Sequence, residues 1–373
     1  MVDVTIVGGG IIGLSIAREL ARAGMDVRVL ERGGLGREAS WAGAGMLPPG
    51  NLELADSPEA RLRGFSARLW PESARELAEE TGVDVGYRQT GSILLYGEDR
   101  ARDQELGRWR AEGAAATPID AREIGELEPH LSIANGCGIH LPTQAQVRNP
   151  RYVKALVASC AEQGVELVEQ IGNLEWIDPG DVAQGLRAGM RRFQSERYCI
   201  AAGSWSPALL APLGCSLPIE PVRGQIVLLN DARRTLSRIV EQGFRYIVPR
   251  GDGRLLVGST MERAGFEKRV TAAGVGELLR FVTRLCPMLE SADIERTWAG
   301  LRPGSPDGLP FLGAVPGNEK VFVAAGHFRS GIQMSPGTAR LMGQAILGRA
   351  SELDLAEFAP SRSFSTPTHP LGT

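Results

Sequence analysis

A cluster of glycines close to the N-terminus constrains this chain more than any other feature of its sequence. An apolar segment, Val4–Val7, leads into Gly8-Gly9-Gly10-Ile11-Ile12-Gly13, and the residues that follow have helical apolar spacing. In such a turn Gly8 permits the sharp change of direction, Gly10 lets the backbone approach a pyrophosphate, and Gly13 lets the helix pack closely on the strand. The free N–H groups of the first helical turn would face the phosphates. The segment therefore predicts a strand, a glycine turn and a helix that bind a dinucleotide.

The residues after this first helix indicate which dinucleotide is bound. A second strand, residues 26–30, ends at Glu31, at the distance from the glycines where an acid receives the ribose hydroxyls. This arrangement serves NAD and FAD alike. The stretch Arg32–Met46 is rich in glycine and alanine and has no periodicity, whereas an NAD domain would continue into its next helix. Such a stretch suits a backbone that lies along an extended cofactor, so we expect FAD, with a plain flexible loop as the alternative.

The composition excludes several classes of protein. The 373 residues have ordinary globular proportions, and a net charge of −3 provides no basic surface for nucleic acid. No apolar run reaches the roughly 18 residues that a membrane-spanning helix needs, and the N-terminus lacks the basic start of a signal peptide. The five cysteines have no C-x-x-C spacing and the four histidines no ligand spacing, which argues against disulfides and metals. We therefore expect a cytoplasmic protein with no metal and no nucleic-acid or membrane partner.

The order of the predicted helices and strands divides the chain into two interleaved domains. Residues 150–168 and the segment that begins at residues 321–326 return the chain to the sheet that carries the glycine turn, and the residues between them are rich in strands. The predicted fold class is α/β, an FAD-binding, Rossmann-like domain with an inserted, mostly antiparallel β domain for the substrate. The cleft between the two domains is the expected active site. The predicted boundaries are 1–85, 145–217 and 297–360 for the cofactor domain, 86–144 and 218–296 for the substrate domain, and 361–373 for a loose C-terminal tail.

Several short motifs beyond the glycine turn are specific. They are Gly45-Met46-Leu47, Tyr246-Ile247-Val248-Pro249-Arg250, Gly258-Ser259-Thr260-Met261, the run from Trp298 to Gly304, Asp307-Gly308 and the run from Ala324 to Ile332. With these motifs in order, the chain resembles the D-amino-acid-oxidase superfamily, and within it the bacterial glycine oxidases of thiamine thiazole synthesis. The resemblance spans nearly the whole chain and implies the α+β architecture of that superfamily.

The resemblance assigns substrate contacts to four residues. Arg302 would clamp the substrate carboxylate, because a planar guanidinium matches a carboxylate with two hydrogen bonds. Tyr246 would add its hydroxyl to this clamp, and Met261 and Arg329 would shape the pocket. From the residues alone, Arg302 lies between a glycine and a proline–glycine pair, which we interpret as a turn, and its alternative role is a surface salt bridge. Tyr246 could equally be core packing on a strand.

The resemblance also implies which residues line FAD. A cysteine near Leu301 attaches the flavin in covalent relatives, and since no cysteine follows Cys286 we expect noncovalent FAD. His327 could orient the flavin or make a structural hydrogen bond, and Asn173 falls where an adenine-contacting backbone group often lies. Together with Gly203, where a second strand ends in a small-residue turn, the expected cofactor residues are Gly8, Gly10, Ile11, Ile12, Gly13, Glu31, Arg32, Ala39, Ser40, Ala44, Gly45, Met46, Asn173, Gly203, His327, Phe328, Arg329, Ser330, Gly331, Ile332 and Gln333.

The reaction that this resemblance implies is the oxidative deamination of a small amino acid, with glycine first and sarcosine or D-alanine next. Hydride would pass to FAD, and oxygen would reoxidise it to give peroxide. No residue stands out as the acid or base, and an amine lone pair can assist hydride departure without one. The segment Gln242–Arg245 replaces more polar residues of the family, which bears on the substrate range.

Several alternatives and partners follow from the same reasoning. The chain could be an amine or D-amino-acid dehydrogenase of the same fold that uses another electron acceptor. It could also be an NAD-dependent dehydrogenase or, outside catalysis, a flavin-binding module of a larger assembly. Expected partners are the substrate, oxygen, thiazole-synthesis enzymes and a second copy of the chain in a homo-oligomer.

Overall fold

The glycine-rich segment joins a buried strand to a helix in the computed structural model, which describes residues 1–133 and 136–364. In chain order, the helices in these residues are α1 (Ile11–Arg22), α2 (Ala39–Ala42), α3 (Pro58–Thr81), α4 (Asp99–Ala111), α5 (Ala121–Leu127), α6 (Asn149–Glu162), α7 (Ser206–Leu210), α8 (Ala272–Leu285) and α9 (Ser335–Ile346). The strands are β1 (Val2–Val7), β2 (Val27–Leu30), β3 (Met46–Leu47), β4 (Arg88–Gln89), β5 (Ser92–Tyr96), β6 (Thr117–Ile119), β7 (Cys137–Leu141), β8 (Ala145–Gln146), β9 (Glu166–Val168), β10 (Glu175–Trp176), β11 (Leu186–Ala188), β12 (Arg191–Phe193), β13 (Ser195–Ile200), β14 (Glu220–Asn230), β15 (Ile239–Gln242), β16 (Arg245–Pro249), β17 (Arg254–Gly258), β18 (Asp293–Gly304), β19 (Phe311–Val315) and β20 (Asn318–Ala325).

A six-stranded sheet in the order β19-β20-β13-β1-β2-β9 carries the glycine turn. Its strands are parallel except for β19, which pairs antiparallel with β20 at one edge. Residues of β1 and β2 pack against α1, α3, α6 and α9 in one apolar core, for example Ile6, Leu14 and Leu341. Since parallel strands end at the same edge, the loops after β1, β2 and β13 open together.

An eight-stranded sheet in the order β18-β14-β17-β16-β15-β5-β7-β6 forms the second body. Its pairs are antiparallel, apart from the parallel pair β15 and β5. One face, with Val227 and Val257, packs on Phe281 of α8. The other face, with Ile226 and Tyr246, packs on the segment that follows β2 in the cofactor half. The predicted fold class is confirmed, with a Rossmann-like body and an inserted, mostly antiparallel one.

Three features differ from the sequence-based expectations. The helices α4 and α5 were not predicted, because only Leu106 of α4 is buried and no apolar stripe marks it. The predicted boundary at 296/297 falls inside β18, which pairs with β14 along its whole length. Arg362 donates to both carboxylate oxygens of Asp307, at 2.9 and 3.0 Å. The prediction of a loose tail is therefore wrong for residues 361–364, and residues 365–373 lie outside the described part. The other domain boundaries stay a prediction.

Within residues 1–133 and 136–364, no helix combines the length and apolarity that crossing a bilayer requires. All five cysteines are free and buried.

Candidate active site

A cavity of about 790 Å³ lies between the two sheets and runs from the glycine turn to Arg302. Its volume is within the range of small-molecule and cofactor sites. The predicted cofactor residues that line it are Gly8, Gly10, Ile11, Ile12, Glu31, Arg32, Ala39, Ser40, Ala44, Gly45, Met46, Asn173, Gly203, His327, Phe328, Arg329, Ser330, Gly331, Ile332 and Gln333. Gly13 is the exception, and it lies behind the cavity wall.

The glycines of the first turn are required by close backbone approach. Gly8 has φ = +114°, and a Cβ there would lie 2.4 Å from the carbonyl oxygen of Ala201 on the neighbouring chain segment. A Cβ on Gly13 would lie 1.9 Å from the carbonyl oxygen of Gly8, so the helix and strand can pack only without a side chain there. Gly10 instead faces Ser40, whose Oγ would lie 3.0 Å from a Cβ. Gly10 thus keeps the cavity open beside the helix.

The turn and the acid after β2 fit the phosphates and ribose of FAD. The N-cap residue of α1 is Gly10, which has no side chain to cap the helix, and of the first-turn N–H groups that of Ile11 donates to Ser40 Oγ at 2.9 Å. Glu31 accepts hydrogen bonds from the backbone N–H groups of Gly9 and Gly33, at 2.9 and 2.8 Å. The helix N-terminus therefore offers N–H donors to an anion, and the acid is fixed at the end of β2.

The other end of this half of the cavity carries a stacked pair that sequence reasoning did not find. The guanidinium carbon of Arg32 lies 3.7 Å from the ring centroid of Trp205. Trp205 follows Gly203 after β13 and lines the cavity together with Asn173. A tryptophan after a small-residue turn was the available signal, because aromatic rings commonly supply the apolar walls of a ligand site.

A buried arginine fixes the glycine- and alanine-rich segment that follows β2. Arg250 donates to the carbonyl oxygens of Ala44, at 2.6 Å, and of Val147, at 3.1 Å. Burial lowers the pKa of Arg250 to about 10. The amide of Asn149 donates to the carbonyl oxygen of Ser40 at 3.1 Å. These hydrogen bonds hold the segment in the wall of the cavity.

The loop between β20 and α9 forms the opposite wall. His327 is buried, its Nε2 lies 3.0 Å from Thr338 Oγ1, and burial lowers its pKa to about 3. The imidazole is therefore neutral. Phe328 has φ = +46°, an uncommon conformation for a side chain of this size. Gln333 donates to the carbonyl oxygen of Pro48 at 3.1 Å and so connects the two walls.

Arg302 projects from β18 into the cavity, and the turn predicted around it is not present. Its guanidinium donates to Ser259 Oγ and, at 3.3 Å, to the carbonyl oxygen of Thr260. The guanidinium lies over Gly224 of the adjacent strand, where a Cβ would be only 2.2 Å from Nη2. Sequence reasoning missed Gly224, because only the register of β14 and β18 brings it to Arg302.

Tyr246 and Arg329 line the same end of the cavity. Burial lowers the pKa of Arg302, the nearby charge of Arg329 lowers it further, and the hydroxyl of Tyr246 opposes this shift. Among the described residues, no carboxylate forms an ion pair with Arg302. Two arginine side chains, Arg302 and Arg329, therefore lie at this end of the cavity.

One carboxylate lies in this region, although no acid was predicted. Glu241 of β15 lines the cavity, and Gln144 Nε2 donates to its Oε1 at 2.9 Å. Burial raises the pKa of Glu241, while the bond from Gln144 and the charge of Arg329 oppose the shift. The sequence could have indicated this position, because residues two apart on a strand lie on the same face. Glu241 therefore lies on the same face of β15 as the buried Ile239.

Two predicted features are not part of the cavity wall. Met261 does not line the cavity, because the backbone of Glu262 pairs with Arg223 and holds this segment along β14. Ser259 occupies the wall instead. The altered segment Gln242–Arg245 is the turn between β15 and β16, and its arginine binds Glu277 of α8 at 2.9 Å. That segment therefore faces α8, and the expectation that it bears on the substrate range is not supported.

The fold and the site together define a class of protein. The family model described as FAD dependent oxidoreductase matches residues 3–345. The chain belongs to this family, and the predictions of FAD as cofactor and of membership in the D-amino-acid-oxidase superfamily are confirmed.

Within this family, the chain is similar to proteins named glycine oxidase. The glycine oxidase of Pseudomonas aeruginosa is 36% identical over 359 residues, which cover 96% of this chain and 98% of that protein. The crystal structure of glycine oxidase from Geobacillus kaustophilus superimposes with a TM-score of 0.91 at 35% identity and covers 98% of this chain and 99% of that one. The bifunctional protein ThiO/ThiG of Trichormus variabilis is 33% identical over 365 residues, which cover 96% of this chain and 55% of that protein.

Proposed function

We propose that this chain is an amino-acid oxidase that dehydrogenates the carbon–nitrogen bond of glycine, with oxygen as the electron acceptor. The products are an imine, which hydrolyses to glyoxylate and ammonia, and hydrogen peroxide. When bound, FAD supplies the oxidant that accepts a hydride from the substrate. We further propose that the cavity residues described above hold FAD without a covalent bond.

The observation that carries this proposal is a cavity-facing guanidinium without an acidic partner. Arg302 is held by Ser259 and Thr260 through neutral oxygen atoms, and no described carboxylate pairs with it. A desolvated cation of this kind gains most from a bound anion, and a guanidinium favours a carboxylate. With Tyr246 beside it, Arg302 would orient the α-carbon of an amino acid.

The preference for glycine is supported by the relatives and by the walls of this end of the cavity. The relatives named glycine oxidase match the chain along almost its entire length. The Tyr246 ring lies against Gly258, where even a Cβ would be 2.5 Å from the ring. A rigid aromatic wall next to the carboxylate clamp favours a substrate with little or no side chain. Sarcosine and D-alanine are the next candidates.

The test is an anaerobic titration of the purified protein with glycine, sarcosine, D-alanine and a bulky D-amino acid, followed by flavin absorbance. Glycine should reduce the flavin, and admission of air should restore the oxidised spectrum with formation of peroxide and glyoxylate. Reduction by bulky D-amino acids alone would contradict the glycine assignment. A reduced flavin that oxygen does not reoxidise, but a quinone does, would favour the dehydrogenase alternative.

We also propose that the imine supplies thiamine thiazole synthesis. The support is the match to the bifunctional protein ThiO/ThiG, of which this chain covers 55%. A bacterial strain that lacks its own glycine oxidase cannot grow unless thiamine is added. When this strain carries the gene for the present chain, it should grow without added thiamine. The variant Arg302→Lys should not restore growth, and growth restored equally by both would contradict the proposal. The homo-oligomer and the cytoplasmic location remain predictions, and light scattering of the purified protein tests the first.

A further inference from the structure

Glu241 is an acid in the cavity wall that forms no ion pair with any of the described residues. It lies directly opposite Tyr246 in the pairing of β15 with β16, so both side chains project to the cavity face of the sheet. Its Oε1 accepts the hydrogen bond from Gln144, and none of the described residues donates to its other oxygen. No described arginine or lysine forms an ion pair with it. One oxygen of this carboxylate is therefore available to a ligand.

The bond from Gln144 is itself fixed by a second hydrogen bond. The side chain of Gln144 is buried, and its carbonyl oxygen accepts from Ser92 Oγ at 2.9 Å. The amide NH₂ group is therefore the end that faces Glu241. A donor held in this way favours the ionised carboxylate, whereas burial raises its pKa. Burial is the larger effect, so the carboxyl group of Glu241 has an increased affinity for a proton.

Arg302 and Glu241 belong to the same end of the cavity. Gly258, Tyr246 and Glu241 lie in one row across β17, β16 and β15, and the guanidinium of Arg302 binds the residue that follows Gly258. The charge of Arg329 acts on the pKa of both Arg302 and Glu241, so Arg329 lies near both groups. A small amino acid whose carboxylate binds Arg302 would therefore have its ammonium in the part of the cavity that Glu241 lines.

We propose that Glu241 accepts a proton from the ammonium group of an amino acid whose carboxylate is bound by Arg302, an inference that rests on the proposed amino-acid oxidation. One N–H bond breaks and one O–H bond forms, so an ammonium and a carboxylate become a neutral amine and a carboxylic acid. The nitrogen lone pair that this step releases would then be available to form the C=N bond as the α-hydrogen leaves with its electron pair, a loss of two electrons for which bound FAD would supply the oxidant. The proton on Glu241 returns to solvent with the product.

The charged and titratable groups around Glu241 are few. Arg329 approaches from the loop before α9, Tyr246 faces it from β16, and Tyr96 is at the end of β5. Burial raises the pKa of Tyr96, and the charge of Glu241 contributes to that shift. A pH profile that changes with Glu241 therefore reports on its carboxyl and on the substrate amine.

The experiment compares the FAD-bound wild type with Glu241→Gln and Glu241→Asp, with Glu277→Gln as the matched control. Glu277 is an acid of α8 that binds Arg245 outside the cavity. For each protein, two quantities are measured between pH 6 and pH 10: the rate of anaerobic flavin reduction and the affinity for acetate, a carboxylate without an amine. Glutamine keeps the size and the oxygen that Gln144 contacts, so FAD and the fold should be retained.

We expect Glu241→Gln to slow flavin reduction at pH 7 by about 10²-fold or more, the usual contribution of a positioned proton acceptor. The rate should rise about tenfold per pH unit toward pH 10, because the neutral amine then forms in solution without an acceptor. Acetate affinity should not fall. Glu241→Asp should recover part of the rate at pH 7, and Glu277→Gln should match the wild type throughout.

Two outcomes would overturn the proposal, and they are distinguishable. If small amino acids reduce the wild type and Glu241→Gln shows the same rate and pH profile, Glu241 is not the acceptor, and the proposed function stands. If no amino acid reduces the wild type, the proposed function fails and the role of Glu241 fails with it. A uniform slowing of Glu241→Gln at every pH, with weaker acetate binding, would also overturn the proposal, because it indicates a disturbed clamp.

Discussion

Gly224 makes room for the guanidinium of Arg302, the proposed substrate clamp, so an added methyl group at position 224 tests this role without altering Arg302 chemically. In the structure, an alanine Cβ at position 224 would lie 2.2 Å from Nη2, 2.4 Å from Nη1 and 2.5 Å from Cζ of Arg302. Nonbonded atoms pack at about 3.5–4.0 Å. The guanidinium must therefore move by more than about 1 Å, while the strand backbone can keep its pairing.

The size of the effect follows from this displacement. A misplacement of about 1 Å in a group that orients the substrate can cost about 10²-fold in rate, or about 2.7 kcal/mol of transition-state stabilisation. Gly224→Ala should therefore lose about 10²-fold in kcat/KM for glycine and bind glycolate correspondingly more weakly. Because Gly224 contacts the clamp and not the dinucleotide turn, the variant should keep its flavin.

The assay is stopped-flow reduction under anaerobic conditions, together with glycolate titration followed by flavin absorbance. The control is Gly107→Ala on α4, where a Cβ meets nothing within 4 Å. That substitution should leave kinetics unchanged and stabilise the helix by about 1 kcal/mol. If Gly224→Ala keeps wild-type kcat/KM and glycolate affinity, the guanidinium does not hold the substrate from the position described here.

Four further predictions test the cofactor site and the clamp. Arg302→Lys should retain flavin but lose about thirtyfold to several-thousandfold in kcat/KM, because removing a desolvated charge partner costs about 2–5 kcal/mol; wild-type turnover would make Arg302 structural. Gly10→Val should purify colourless, because its side chain fills the space beside Ser40, and a yellow, active variant would contradict that role. Acid precipitation of the wild type should leave the flavin in the supernatant, whereas a yellow pellet would indicate a covalent bond. Burial lowers the pKa of His327 to about 3, so below pH 6.5 the unfolded chain takes up a proton that the folded chain does not, and the free energy of unfolding should fall by up to about 1.4 kcal/mol per pH unit. His327→Gln should remove that dependence in urea unfolding measured between pH 4 and pH 7, and an unchanged slope would refute it.

The part of the fold that the sequence predicts well is the part with strong local signals. Gly8 and Gly13 occupy positions where a side chain would collide with backbone, and Gly10 leaves space beside Ser40. The spacing of these three glycines therefore identified the dinucleotide turn from the sequence. The helix α1 was predicted directly after the glycine turn, because its apolar residues have helical spacing. In contrast, α5 was missed although Asp120 and Glu123 form a capping box, a signal that is readable in the sequence.

The substrate end of the site depends on contacts between strands that are far apart in the sequence, and no local sequence pattern predicts such contacts. Arg302 and Tyr246 were named from the family resemblance, but Glu241 was not, because its position opposite Tyr246 depends on the register of two strands. The same holds for Gly224. The prediction that Met261 lines the pocket came from the family resemblance alone. It was wrong because the next residue, Glu262, pairs with Arg223 of β14 and holds this segment away from the cavity wall.

The pair of glycines at 224 and 300 explains how the clamp and the cofactor segment come to be adjacent. The two residues are direct partners in the register of β14 and β18, and they share one face of the sheet. At Gly224 the missing side chain admits the guanidinium of Arg302, and at Gly300 it admits Ala42 of α2, whose Cβ would lie 2.5 Å from an added Cβ. Trp298, two residues before Gly300, donates to the carbonyl oxygen of Ala42 at 3.0 Å and holds α2 in this place. The position of the Arg302 guanidinium relative to this wall of the cavity is therefore set by strand pairing and by hydrogen bonds within the protein, which would fix the geometry of the proposed clamp.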